Sequence, residues 1–199
     1  MKSTKLVLAA ATALLGFFAV SGVNAQAADI TNNTGDTTAT VGLTSDSDDD
    51  KISLTKAPVF DFGSQQIGSQ PLTLQAETVT DPITVENPGL GTGWNVTVTG
   101  SDFLNGSTKL NGAKLVLNGE VAAEDSENQS VAPTTKPIIV NDQAQNIFTA
   151  TANNGIGGWL NNFDTDYDHQ RAVLKIPAGN VAGTYVSNLT WTLTDAPVR

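Results

Sequence analysis

The sequence predicts an all-β fold, an antiparallel β-sandwich of immunoglobulin-like or barrel-like form, built as one domain. Three observations lead there. From Ile52 onward the chain runs in short segments rich in β-branched and aromatic residues, several of them alternating apolar and polar side chains. Gly, Asn, Asp and Pro interrupt these segments every roughly 8–15 residues. No stretch keeps an apolar stripe at helical spacing over three turns.

Taken in chain order, the segments expected to be strands are ISLT, PVFDF, PLTLQ, ITVEN, WNVTVTG, AKLVLNG, PIIVN, NIFTAT, AVLKIP and TYVSNLTWTLT. In WNVTVTG, Trp94, Val96 and Val98 fall on one face and Asn95, Thr97 and Thr99 on the other. The last segment repeats the arrangement. Tyr185, Ser187, Leu189, Trp191 and Leu193 share a face opposite Val186, Asn188, Thr190, Thr192 and Thr194. That is the pattern of a strand with one face against a core. Asn-Gly in LNGAK and LNGEV signals two tight hairpins. GIGGW, residues 155–159, reads as a glycine turn leading into Trp159, which is the tryptophan expected to be exposed.

The sandwich is expected over residues 52–199, after two segments of another character. Residues 1–27 read as a signal peptide: Lys2 and Lys5 precede an uncharged run from Leu6 to Val20. That run suits a leader and is shorter than the ~20 residues a spanning helix needs. Small residues before Ala25 and Ala27 supply two cleavage sites. Residues 28–51 are almost all Thr, Ser, Asp, Asn and Gly, an acidic spacer too polar to fold alone. Within it, ATVGL is the one stretch able to add an edge strand.

Removing the leader takes away two lysines and no acid, so the formal charge moves from −10 to −12. An acidic surface of this kind repels nucleic acid and anionic lipid. There is no cysteine. The folded part, about 145 residues, is long enough to bury a core without disulfides. Export without cysteine points to a bacterial surface, and no further apolar run offers a membrane span.

Catalysis and metal binding find little to work with. His169 is the only histidine, and no serine sits in a nucleophile elbow. Asp164, Asp166 and Asp168 imitate the start of a calcium loop, but the template fails at its sixth and twelfth positions, where His169 and Lys175 stand. No enzyme activity, metal or cofactor is expected. Tryptophans can stack on sugars, yet Trp94 and Trp191 lie on apolar strand faces, where core packing is the better reading.

The C-terminal run Tyr185-Val186-Ser187-Asn188-Leu189-Thr190-Trp191-Thr192-Leu193 resembles the distal motif of the WxL-domain surface proteins of low-GC Gram-positive bacteria. Gly93-Trp94-Asn95-Val96 is similar to their proximal motif, with valine in place of the usual leucine. APVFDFGSQQI, VTDPITVENPGLGTGW and AVLKIPAGNVAGTY resemble other parts of that family, so the likeness runs from about Ala57 to Pro197. The resemblance implies non-covalent attachment to the Gram-positive wall, with peptidoglycan as ligand class. It also implies partners, namely other WxL proteins and membrane-anchored WxL-interacting proteins. Trp94, Val96, Tyr185, Leu189, Trp191 and Leu193 are then the motif residues for ligand or partner binding, or for the core. The alternative is a host-directed adhesin or complex subunit that touches a protein rather than the wall.

Overall fold

The computed structural model describes residues 39–44, 51–164 and 171–195. The chain divides into two units, Met1–Leu43 and Thr44–Arg199. Of the first, the described residues form no strand, and Val41 and Leu43 are 81% and 91% exposed. ATVGL therefore adds no edge strand. The leader and its cleavage sites lie outside the described residues.

The second unit is all antiparallel β-structure, sixteen strands among the described residues. Three four-stranded sheets carry the architecture. The first runs β1 (Ser53–Lys56), β5 (Ile83–Asn87), β14 (Gly157–Asn162), β10 (Glu120–Ala123). The second runs β11 (Thr134–Thr135), β13 (Gln145–Ala150), β6 (Trp94–Gly100), β16 (Leu189–Thr194). The third runs β12 (Ile138–Ile139), β9 (Lys114–Leu117), β15 (Ala172–Ile176), β3 (Leu72–Gln75). Two small hairpins complete it: β2 (Phe60–Asp61) with β4 (Thr78–Val79), and β7 (Leu104–Asn105) with β8 (Thr108–Lys109). None of the sheets closes on itself, so the sandwich reading holds and the barrel reading does not.

One core joins the three sheets. Ile83 and Val85 from the first, Val96, Val98 and Phe148 from the second, and Leu117, Ala172 and Leu174 from the third pack into a single buried cluster. The alternation in β6 is complete, each apolar residue buried and each polar one half-buried. Burial of this kind is the main force holding the sheets together.

Several local expectations are corrected. Asn111-Gly112 does turn the chain, but it joins β8 to β9, which do not pair. Asn118-Gly119 carries β9 out of the third sheet to β10 in the first, so it is no hairpin either. Gly119 is required by crowding instead: a Cβ there would collide with Asn161 Oδ1 and the Phe163 ring. The two-residue hairpin forms one step earlier, at Gly106-Ser107, where Gly106 has φ 58°.

Candidate binding faces around the paired tryptophan strands

The proximal and distal motifs lie on neighbouring strands. β6 and β16 pair antiparallel, with Val96 opposite Leu193, Val98 opposite Trp191 and Gly100 opposite Leu189. The apolar residues two positions beyond each tryptophan therefore meet across the ladder. Gly100 makes room for this, because a Cβ there would lie 2.6 Å from Val140 Cγ1 and 3.0 Å from Leu189 Cδ2.

The two tryptophans differ in burial. Trp94 is 0% exposed, stands edge-on to Phe148 at 4.8 Å, and donates its indole N–H to Gly155 O at 3.0 Å. Gly155 has φ 63°, and a side chain there would strike Ala150 and the indole itself. Trp191 is half-buried and packs against the core from the edge strand. Tyr185 is not on that strand. The strand begins only at Leu189; just before it, Ser187 Oγ donates to Ser101 O, and Ser101 Oγ accepts from Asn188 N–H. The Tyr185 hydroxyl donates instead to Val181 O at 2.8 Å. Val186 makes an isolated bridge to Leu104.

Trp159 is a correction. It is 4% exposed, at the centre of the first sheet, between Val85 and Ala123, with its indole N–H bonded to Ile156 O. Gly157 and Gly158 belong to β14 rather than to a turn. Glycine suits them because side chains there would collide with Asn128 and Glu124. Of the aspartates, Asp164 is exposed and hydrogen-bonded to Asn162, while Asp166, Asp168 and His169 lie outside the described residues. Among the described residues no group of three His, Asp or Glu side chains could hold a metal.

Two surfaces remain for contact. The first is an apolar cleft of about 950 Å³ at the seam between the edge strands β16 and β3. Leu189 and Trp191 line it together with Leu72, Leu74 and Leu174. Val59, Ile67, Val181 and Val186 stand exposed around it. Asp61 is the one charged residue among the described residues lining it. Strand alternation alone singles out Leu189 and Trp191, while Leu72, Leu74 and Leu174 join them from distant segments.

The second surface is the outer face of the second sheet, opposite the tryptophans. One row crosses all four strands: Thr134, Thr149, Asn95 and Thr194 stand in register. The next row aligns Asn146, Thr97 and Thr192, and the third pairs Thr99 with Thr190. All are half-buried or exposed, and none is charged.

The domain is thus an open antiparallel sandwich with an apolar cleft lined in part by Trp191 and a hydroxyl-lined outer face on its motif sheet. The chain belongs to the WxL family, described as a surface cell wall-binding domain, whose family model matches residues 29–197. Neither a curated protein nor a solved structure matches it.

Proposed function

We propose that this protein is an exported, non-enzymatic surface protein that attaches without covalent linkage to a Gram-positive cell wall, with peptidoglycan as the polymer class. The observation that carries the reading is the family match over residues 29–197 together with the pairing of both motifs on adjacent strands. A leader at residues 1–27 and a spacer at 28–51 agree with a chain that crosses the membrane and then extends from its site of attachment. Mixing the exported chain, residues 28–199, with purified sacculi tests the reading, with and without accessory polymers. Co-sedimentation with sacculi is expected; absence from the pellet in both preparations would refute direct attachment.

A second activity, assembly into surface complexes, is favoured by the cleft. Apolar side chains exposed around a groove with a single charged side chain, Asp61, among its described lining residues match a protein surface better than a hydrated polymer. Other WxL proteins or a membrane-anchored WxL-interacting protein are the partners in this reading. Retention on cells should then fall when such a partner is deleted, while sedimentation with bare sacculi persists. Retention unchanged by the deletion would count against assembly.

A further inference from the structure

We propose that the outer face of the β11-β13-β6-β16 sheet is the polymer-contact surface, and that its ligand is an extended, uncharged glycan chain. The inference rests on the wall-attachment reading and goes beyond it by naming the surface and the part of the polymer it takes. It begins from the burial of the motif. The motif residues Trp94 and Val96, and Val98 after them, are wholly inside, so these side chains cannot themselves touch a ligand. What the same strands present to solvent is the other half of their alternation, Thr97 and Thr99 from β6 and Thr190 and Thr192 from β16.

The chemistry of that face fits sugar. Each threonine offers a methyl group beside a hydroxyl that both donates and accepts, and asparagine offers both functions on one amide. A pyranose chain has the matching mixture of C–H faces and hydroxyls. Adjacent strands set neighbouring hydroxyls about 4.8 Å apart and alternate residues set them about 6.7 Å apart, a regular lattice over which a long repeating chain can lie. Much of the hydrogen-bonding capacity is available. Thr149 Oγ1 donates to Asn146 Oδ1 at 2.8 Å, but Thr97 and Thr134 reach backbone carbonyls only at 3.5 and 3.4 Å.

Charge narrows the ligand further. The chain carries a formal charge of −10, yet this face has neither acid nor base in its three rows. A polyanion would need cations here to hold it, and there are none among these residues. A neutral glycan needs no counter-charge. An apolar protein partner would find few buried-core contacts on such a surface.

The test compares the exported chain with T97V/T190V/T192V, in which each hydroxyl is replaced by a methyl of similar shape. Valine keeps strand preference, so the fold should persist. The probes are sacculi stripped of accessory polymers and glycan strands freed of stem peptides, the lactyl carboxylates exposed by that cleavage being capped as amides so that the strands carry no charge. The parent should bind both, and the triple variant should bind each at least tenfold more weakly. A control, T73V/T78V, changes threonines on β3 and β4 and should bind like the parent. If the triple variant melts appreciably lower, the three single variants carry the test, each expected to weaken binding about two- to tenfold. Parent-like binding by the variants overturns the proposed face while leaving wall attachment intact. A parent that binds sacculi but not peptide-free glycan overturns the glycan assignment. A parent that binds neither overturns the proposed face; its sedimentation with sacculi that keep their accessory polymers then leaves wall attachment standing, and its absence there as well removes the wall reading too.

Discussion

Truncating Trp94 to alanine removes a side chain with no solvent exposure, its edge-to-face contact with Phe148 at 4.8 Å, and the indole N–H bonded to Gly155 O. Buried Trp→Ala changes cost about 3–5 kcal/mol, and an unpaired buried carbonyl moves the value toward the top of that range. For a domain of this size each kcal/mol lowers the melting midpoint by about 2–4 °C, so a fall of roughly 10–20 °C is expected. The same truncation at half-buried Trp191 empties less of the core and should cost about 1–3 kcal/mol. Calorimetry, with urea unfolding followed by circular dichroism, measures both without relying on tryptophan emission. Equal losses, or a larger loss at Trp191, would refute the assignment of Trp94 to the core and Trp191 to the cleft wall.

Other substitutions probe other links. Asn87 holds the turn after β5, its Nδ2 donating to Leu90 O and its Oδ1 accepting from Gly89 and Leu90 N–H. Asn87→Ala should lower stability by about 2–3 kcal/mol in urea unfolding. Gly155→Ala combines a positive φ with a Cβ 2.5 Å from Ala150 Cβ, and should cost about 2–3 kcal/mol with a matching fall in melting midpoint. Glu120→Ala leaves the buried Arg171 guanidinium without its carboxylate and should cost about 1–3 kcal/mol by urea unfolding. Val181→Asp and Val186→Asp alter exposed cleft residues, so melting should stay within about 0.5 kcal/mol of the parent while capture of a WxL-interacting partner drops.

Much of the fold was legible because period-two alternation survives wherever one face meets the core. β6 is the clearest case, and the C-terminal half of the last segment follows it. The misreadings have physical causes. GGWLNN looks like a loop by composition, yet as β14 it is an interior strand whose glycines are needed because Asn128 and Glu124 crowd against them. The same composition places Trp159 at the surface, whereas the interior strand buries it. Asn-Gly predicts a tight turn but not which strands it joins, and at Gly119 it crosses between sheets.

The candidate faces were less legible than the strands. Thr97 and Thr192 can each be assigned to a polar face from alternation alone. Their alignment with Asn146, and that of Asn95 with Thr134, Thr149 and Thr194, depends on register between segments far apart in the chain. The cleft likewise needs β3 and β16 to be edge strands of different sheets, which topology decides and local pattern does not.

The central claim is that the motif strands face inward for packing and outward for the wall. Titrating the amide-capped, peptide-free glycan strands into chain labelled at threonine, valine and leucine methyl groups tests it most directly by NMR. The expected result is shifts at the Thr97, Thr99, Thr190 and Thr192 methyls, with Leu74, Leu174 and Leu189 in the cleft unchanged. Shifts confined to the cleft leucines, or none at saturating glycan, would contradict it.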